Sequence, residues 1–420
     1  MPGRTEDAMH PTRAECAAMD AADPLAHMRD RFVLPEGVVY LGGNSIGAMA
    51  KAVAARVKTA TEDEWALGLK RSWNDAGWFT LPARAGDKIA RLIGAPKASV
   101  IVADTISVNL FKLLSAALDL VPGRRVILSD TGNFPSDLYV AQGLIARLGR
   151  GLALKVVEPE DVEAALDETV GVLMLTEVDY RTARIHDMRD LTTKAHSVGA
   201  VTVWDLAHSA GAIEVDVTAA NVDFAHGCTY KYLNGGPGAP AYVYVRPDLM
   251  GAARSPISGW WGHEAPFAFD LDFRPAPGIV RFQCGTQPIL TLSALDAALD
   301  EWADVDMATV RAKSVRLTGL FTELVAAGCA EHGLRLAGPG DAWARGSHVS
   351  LHCPHGLAVM RALVADGVIG DFRAPDVIRF GFAPLYNSFV DAWDAADRLA
   401  RILEKRRWDD TRFREREAVT

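Results

Sequence analysis

The stretch GVLMLTEVDYRTARIHDMRDLTTKAHSVGAVTVWD, residues 171–205, decides the fold class. Two apolar runs, 171–178 and 200–205, flank a helical stretch from Asp187 to Ser197. Continuous apolar runs of this length are typical of strands that are buried on both faces of a sheet. Because a helix separates the two strands, the stretch predicts an α/β domain with parallel strands.

The same alternation extends toward the N-terminus. Apolar runs at 100–104, 125–130 and 152–158 each precede a helical stretch. Together these segments predict a large α/β domain with a mostly parallel sheet. Ligands in such sheets bind at the carboxyl ends of the strands.

The pattern changes after about residue 290. A long helical stretch, Leu290 to Ala327, precedes short apolar runs and a last helix near 388–405. This pattern predicts a smaller C-terminal α+β domain of ordinary size. We therefore predict three regions: an N-terminal segment (1–50), a large α/β domain (51–290) and a small α+β domain (291–420).

Composition narrows the class of protein. The chain has 420 residues, 49% of them hydrophobic, and a formal net charge of −9, which argues against a nucleic-acid partner. It has no apolar run long enough to span a membrane and no apolar secretory signal, so we expect no membrane association. Its cysteines are odd in number and never form a C-x-x-C pair, which favours free thiols in the cytoplasm and no metal site: Cys16, Cys228, Cys284, Cys329 and Cys353.

Two residues that follow predicted strands suggest chemistry. Asp205 ends the run AVTVWD, with His208 three residues later, although Asp205 could instead cap the next helix. Lys231 lies 26 residues after Asp205, in the stretch TYKYLNGGPG. A lysine near a core loses its proton readily, and the neutral amine forms Schiff bases, but most lone lysines are surface residues.

Other strand ends add candidate ligands. VADTISVNL, 102–110, offers hydroxyls and free N–H groups where a helix begins, which suits a phosphate, although the same residues serve as N-caps. Phe134 could stack on a flat ring, Asp137 could accept a hydrogen bond, and Thr176 closes a strand. A pyridoxal phosphate (PLP) enzyme needs such a lysine for the cofactor and such a carboxylate for its ring nitrogen.

Over residues 35–405 the chain resembles kynureninases, which are fold-type I PLP enzymes of the aminotransferase class V group. The resemblance is carried by seven motifs in family order: YLGGNSIG (40–47), SVNL (107–110), FPSD (134–137), WDLAHSAG (204–211), YKYLNGGPG (230–238), GWWGHE (259–264) and RFGFAPLYNS (379–388). It implies hydrolysis of L-kynurenine between Cβ and Cγ to anthranilate and L-alanine, in tryptophan catabolism.

The resemblance also implies roles for individual residues. It assigns catalysis to Lys231, which carries the cofactor, to Asp205 and to Tyr230, a proton shuttle or a phosphate ligand. The implied cofactor pocket is Ile106, Ser107, Phe134, Pro135, Ser136, Asp137, Thr176, Asp205, His208, Tyr230, Lys231, Trp260 and Thr286. Trp260 and Thr286 match positions that reach a neighbouring subunit's cofactor phosphate, which implies a homodimer with shared active sites. The implied substrate contacts are Ser45, Trp65 and Arg379, with Arg379 on the α-carboxylate.

Two departures within the family bear on the substrate. Animal-type kynureninases, which favour 3-hydroxykynurenine, have a histidine near the position of Trp65 or Ala66 and an asparagine at that of Thr286. A site with fewer polar partners leaves a 3-hydroxyl poorly bonded. We therefore expect L-kynurenine to be preferred, with weaker activity on 3-hydroxykynurenine.

Three alternatives remain at this point. A cysteine desulfurase needs a mobile catalytic cysteine late in the chain, where Cys329 and Cys353 lie. An aminotransferase would share the cofactor and the fold. A non-catalytic relative would use the fold as a binding scaffold. An intact set of four residues argues against this alternative: Asp205, His208, Tyr230 and Lys231.

Overall fold

The computed structural model describes residues 10–414 of the chain. The α-helices are α1 (Arg13–Ala21), α2 (Lys51–Thr59), α3 (Ser72–Asp75), α4 (Leu81–Leu92), α5 (Ile106–Leu120), α6 (Pro135–Leu148), α7 (Val162–Ala165), α8 (Met188–Ser197), α9 (Ile289–Asp300), α10 (Met307–Cys329), α11 (Gly356–Ala365) and α12 (Phe389–Glu404). A π-helix, Ala60–Gly68, continues from α2.

The strands are numbered in chain order in the same way. They are β1 (Val39–Tyr40), β2 (Val100–Val102), β3 (Val126–Asp130), β4 (Ala153–Val157), β5 (Val170–Thr176), β6 (Val201–Asp205), β7 (Phe224–Gly227), β8 (Tyr242–Val245), β9 (Arg335–Leu336), β10 (His348–His352), β11 (Val368–Ile369), β12 (Asp371–Arg373) and β13 (Val377–Gly381).

The larger compact unit comprises Ile46–Tyr180 and Arg184–Met307. Its seven-stranded sheet has the order β2-β8-β7-β6-β5-β3-β4. The strands from β7 to β4 are parallel, and β8 runs antiparallel to both β7 and β2. The predicted α/β class with a mostly parallel sheet is therefore confirmed.

The central strands are buried because helices cover the sheet. Every residue of β5 is buried, as its continuous apolar sequence predicts. Helix α5 packs Leu110, Leu113 and Leu114 into one hydrophobic core with the sheet residues Val172 and Val203. This packing holds the carboxyl ends of β5, β6 and β7 at one edge of the sheet, where the predicted site residues lie.

One helix prediction was wrong, because the structure has two helices where the sequence predicted a single one. The stretch Leu290 to Ala327 was expected to be a single helical run, but α9 ends at Asp300 and α10 begins at Met307. The guanidinium of Arg91 donates to the carbonyl oxygens of Trp302 and Val305, and so satisfies backbone acceptors that the helix leaves open. The segment 301–306 contains no glycine or proline to signal the break.

The smaller compact unit comprises the described residues up to Ser45, the short piece Arg181–Ala183 and the described residues from Ala308 onward. Its antiparallel sheet has the order β12-β13-β10-β9, and β1 pairs with β11 in parallel. Helices α10, α11 and α12 pack on a core that includes Phe321 and Phe380. Ser388 and Asp391 form a capping box that starts α12.

The three regions predicted from the sequence, 1–50, 51–290 and 291–420, stay a prediction for the functional domains of the chain. Within residues 10–414, no helix combines the length and the apolar character that crossing a membrane requires.

Candidate active site

The carboxyl ends of three parallel strands bring the central residues together. Thr176 ends β5 and is the register partner of Asp205, which ends β6. Asp205 is in turn the register partner of His226 in β7. Because register partners in a sheet point to the same face, these three side chains share one face at this edge.

Lys231 lies in the loop that follows β7. Its Nζ is 3.2 Å from Nε2 of the buried His208 and 6.0 Å from the centroid of the Phe134 ring. The ammonium forms no ion pair with a carboxylate anywhere in residues 10–414, and the residue is only partly buried. The Lys231 amine thus has spare hydrogen-bonding capacity beside an imidazole and an aromatic ring.

Asp205 is held by its own turn. Its side chain is buried, and the backbone N–H of Ala207 donates to its Oδ1 at 2.8 Å. The same turn places His208 within hydrogen-bonding distance of Lys231. The residues Asp205, His208 and Lys231, which the sequence suggested as one group, therefore lie at one sheet edge.

A second carboxyl group lies near Asp205. Asp137, in the first turn of α6, is fully buried, and its Oδ2 has no hydrogen-bond partner. Burial raises the pKa of the Asp137 carboxyl well above its usual range, the Asp205 charge raises it further, and Lys231 lowers it. The protonated form of Asp137 is therefore favoured relative to that of an exposed aspartate.

The segment before Asp137 supplies an aromatic face. Phe134 is 40% exposed, contacts the edge of Tyr180 at 5.0 Å between ring centroids, and donates its N–H to Oδ1 of Asn133. Pro135 and Ser136 start α6, with Pro135 at the position where its missing N–H costs nothing.

The start of α5 forms the proposed phosphate loop, residues 104–107. Thr105 is the N-cap, and its hydroxyl accepts from the N–H of Val108 at 3.4 Å. Ile106 and Ser107 form the first turn and are partly buried. Asp104 has a left-handed backbone with φ of 47°, which is uncommon for a residue that is not glycine.

The loop that carries Tyr230 and Lys231 is fixed by the segment 47–48. Gly47 N–H donates to the Tyr230 carbonyl oxygen at 2.8 Å, and the side-chain amide of Asn234 donates to that of Ala48. A Cβ on Gly47 would collide with the carbonyl oxygen of Lys231, so this close approach requires glycine. The pKa of Tyr230 is raised, mainly by the neighbouring Cys228 side chain and by burial, so the phenol keeps its proton.

Arg379 lies in the smaller unit and is almost fully buried. Its guanidinium forms a bidentate ion pair with Asp371, the register partner on β12, with Nε 2.6 Å from Oδ1. Asp371 also contributes to raising the pKa of Tyr40 to about 12, although burial is the main cause. The arginine is therefore held in a fixed orientation by a neighbouring carboxylate.

The other predicted site residues lie at more open positions. Trp65, in the π-helix, is 58% exposed, and Ser45 is partly buried with its N–H donated to the carbonyl oxygen of Gly42. Trp260 is 41% exposed, and Thr286 is also exposed. The structure does not bring Trp260 or Thr286 into hydrogen-bonding contact with Lys231 or Asp205 of the same chain.

Two buried residues near this edge were not among the predicted site residues. His226 is fully buried and neither ring nitrogen has a partner; burial lowers its pKa, and Asp205 opposes that shift. Only the strand register, which the sequence does not give, places it beside Asp205. Lys112 is also fully buried, and here a signal existed, because a charged residue in the middle of an apolar helix is unusual.

Metal ligands are a further possibility at a site rich in acids and histidines. Among residues 10–414, no group of three or more histidine, cysteine, aspartate or glutamate side chains is arranged to hold a metal ion.

Solved structures of other proteins share this architecture. A cysteine desulfurase from Thermococcus onnurineus NA1 superposes with a TM-score of 0.75 at 19% identity, over 90% of this chain and 98% of that one. A cysteine desulfurase from Escherichia coli gives 0.73 at 20% identity, over 91% and 98%. The chain therefore has the fold of the fold-type I PLP-dependent enzymes.

Sequence comparison specifies the family. The kynureninase of Burkholderia pseudomallei (strain 1106a) is 52% identical over 414 residues, which are 97% of this chain and 100% of that protein. The kynureninase of Pseudomonas fluorescens is 50% identical over the same shares. The family model of the kynureninase C-terminal domain matches residues 310–399. The chain belongs to the kynureninase family.

Proposed function

We propose that the chain is a PLP-dependent enzyme that hydrolyses L-kynurenine between Cβ and Cγ to anthranilate and L-alanine, in tryptophan catabolism. One observation carries the proposal: the Lys231 amine lies 3.2 Å from His208, at the sheet edge that also holds Asp205 and Asp137. The membership of the kynureninase family supports the choice of substrate.

The residues present fit PLP. The cofactor carries an aldehyde, a flat ring with a basic nitrogen, and a phosphate. Lys231 offers the amine, Phe134 an exposed ring face, and the start of α5 free N–H groups with the hydroxyl of Ser107. The buried Asp205 suits a protonated ring nitrogen, which would donate a hydrogen bond to a carboxylate, and the unpartnered Oδ2 of Asp137 offers a further polar atom nearby.

The chain's own groups then have distinct tasks. When bound, PLP supplies the electron sink that lets a bond at the substrate's α-carbon, and then the Cβ–Cγ bond, break. Lys231 would hold the cofactor through its amine and would act as the base that takes the proton from the α-carbon of the substrate. Asp205 would keep a proton on the ring nitrogen, and His208, 3.2 Å from the Lys231 amine, would help to hold that amine in place.

Later proton transfers need a donor near Lys231. Tyr230 is the neighbouring residue, and its raised pKa keeps the phenol protonated at neutral pH. We assign to it the donation of a proton to the alanyl fragment after water has added to the γ-carbonyl and the Cβ–Cγ bond has broken. The atoms balance, since kynurenine and one water give one anthranilate and one alanine.

Substrate binding involves a different set of residues. Arg379 would bind the α-carboxylate, because a guanidinium already oriented by Asp371 loses little freedom on binding a second carboxylate. Ser45 and Trp65 complete the proposed substrate contacts. A site of this kind, with few polar partners for the aryl ring, favours L-kynurenine over 3-hydroxykynurenine by up to about 100-fold.

We further propose a cytoplasmic homodimer in which Trp260 and Thr286 reach the partner's cofactor phosphate. The support is an exposed apolar surface near Trp260, where the Phe267 ring packs against Trp260 and Phe269 while Phe267 is 62% and Phe269 76% exposed. Contiguous exposed apolar side chains of this size mark interaction sites. The free cysteines fit a reducing compartment.

The cysteine desulfurase alternative has little support. The late cysteines, Cys329 and Cys353, are both buried in the core of the smaller unit. Burial raises the pKa of Cys329 to about 12 and that of Cys353 to about 11, so neither supplies a thiolate at neutral pH. The likeness to solved desulfurases is one of fold.

The direct experiment is to incubate purified protein with PLP and L-kynurenine and to follow anthranilate fluorescence. We expect anthranilate and alanine in equal amounts, and none with the Lys231→Ala variant. Release of sulfide and alanine from cysteine, without anthranilate from kynurenine, would instead establish the desulfurase. Comparing kcat/KM for the two substrates tests the preference, and a higher value for 3-hydroxykynurenine would overturn it.

A further inference from the structure

Lys112 is a fully buried cation that the proposed chemistry does not use. It lies in the middle of α5, a helix whose other inward side chains are mostly apolar. A buried ammonium is costly unless its charge is paired and its three N–H groups have acceptors. The structure provides three acceptors: one in the loop just before α5, one in α5 itself and one 170 positions away along the chain.

The three acceptors define what Lys112 connects. Its Nζ donates to Oδ2 of Asp104, to Oδ1 of Asn109 at 3.2 Å, and to the carbonyl oxygen of Phe282 at 2.6 Å. Asp104 begins the proposed phosphate loop and has the strained, left-handed backbone. Phe282 begins the segment 282–287, which contains Thr286.

The segment 282–287 is in turn tied to the Trp260 loop. Trp261 N–H donates to the carbonyl oxygen of Cys284 at 3.1 Å. A Cβ on Gly259 would collide with that same oxygen, so the two backbones are in close contact. The Phe282 carbonyl that Lys112 holds is therefore two residues from the point where the Trp260 loop is attached.

We propose that Lys112 is a positioning residue that fixes two cofactor-binding segments at once: the phosphate loop of its own subunit, and the segment 282–287 with Trp260 that this subunit contributes to its partner's site. The proposal rests on the shared-site homodimer proposed above. Cofactor binding in one subunit then depends on Lys112 of the other subunit as well as on its own.

A purely structural role makes a different prediction. If Lys112 only neutralises Asp104, its loss affects the phosphate loop of the same chain and nothing in the partner. Hybrid dimers separate the two cases, because a chain with Lys231→Ala cannot attach the cofactor covalently. In such a hybrid, only the Lys231 of the other chain can be trapped with borohydride.

The experiment uses hybrids made by co-expression with two affinity tags. One hybrid carries Lys112→Met on the Lys231→Ala chain, a second carries it on the chain with intact Lys231, and the control hybrid has Lys112 in both chains. Each is titrated with PLP, reduced with borohydride, and assayed for the labelled Lys231 peptide by mass spectrometry. If the Lys112→Met chain does not fold, Asp104→Asn with Lys112→Met replaces it, since that pair leaves no carboxylate without its ion-pair partner.

We expect the PLP concentration at half-labelling to rise roughly tenfold in both variant hybrids, as for a lost charge-assisted hydrogen bond. An increase only when Lys112→Met is on the chain with intact Lys231 overturns this proposal and leaves the proposed function unaffected. A wild-type protein that sediments as a monomer and still hydrolyses kynurenine overturns the shared-site homodimer, and this proposal with it.

Discussion

Two lysines of the larger unit, Lys112 and Lys231, show how the same side chain serves two purposes. Lys112 is fully buried, and each of its three N–H groups has an acceptor. Lys231 is partly buried, has only an imidazole within hydrogen-bonding distance, and has no carboxylate partner in the described part of the chain. A lysine with all its donors satisfied can anchor structure, whereas one with unsatisfied donors is available for chemistry.

Replacing the available lysine should have the largest effect. We expect Lys231→Ala to lower kcat for kynurenine hydrolysis by about 10⁴-fold, because both cofactor attachment and the base for the α-proton are lost. The stability of the cofactor-free protein should change by less than about 1 kcal/mol, since few contacts are removed. Steady-state kinetics and urea unfolding measure the two quantities. Retained activity would show that another lysine holds the cofactor.

Replacing the anchoring lysine should reverse this pattern. We expect Lys112→Met to reduce the free energy of unfolding of the cofactor-free protein by about 3 kcal/mol, because Asp104 loses its buried partner. Adding Asp104→Asn should recover part of the loss. Urea denaturation of the three proteins tests this, and a stability equal to that of wild type would mean that Lys112 is not an anchor.

The paired arginine offers a third comparison. Arg379→Ala should raise KM for kynurenine by roughly tenfold or more, because the substrate carboxylate loses a charge-assisted contact of about 1.5–3 kcal/mol. The absorbance of the bound cofactor should not change. Asp371→Asn with Arg379→Ala is the control, since it removes the carboxylate that the single change leaves with only the weaker contact to Arg373, at 3.5 Å. If KM is unchanged, Arg379 serves only to pair with Asp371.

The smallest expected effect is a change in how the stability of the protein depends on pH, and it involves Asp137. Because the pKa of Asp137 is raised in the folded protein, its contribution to stability is fully present below the unfolded value of about 3.9 and is lost as pH rises through the folded value. Asp137→Asn removes this pH-dependent loss of stability, because an asparagine side chain does not ionise. In the cofactor-free protein, the Tm of the variant relative to wild type should therefore increase by a few degrees between pH 4 and pH 8. A Tm difference that is constant with pH would contradict the assignment.

The fold and the centre of the site were accessible from the sequence for physical reasons. Continuous apolar runs separated by helices predict parallel strands, and parallel strands end at one edge, so Asp205 and Thr176 were expected together. Lys231 followed from its distance along the chain and from the family motifs. The strand–helix alternation could not indicate the break at 301–306, where a distant side chain, Arg91, satisfies the helix end.

The missed contacts depend on strand register and on tertiary packing. The pairing of Arg379 with Asp371 requires the antiparallel register of β12 and β13, which a periodic pattern leaves undetermined. The position of His226 beside Asp205 has the same origin. The Phe282 carbonyl on Lys112 joins residues 170 positions apart, a contact that no local pattern encodes.

The central claim is that Lys231 holds the cofactor, and one measurement tests it most directly. Purified protein loaded with PLP is reduced with borohydride, digested, and mapped by mass spectrometry. We predict that the visible absorbance band disappears and that the reduced adduct is found on Lys231. An adduct on Lys194 or Lys155, with Lys231 unmodified, would contradict the assignment.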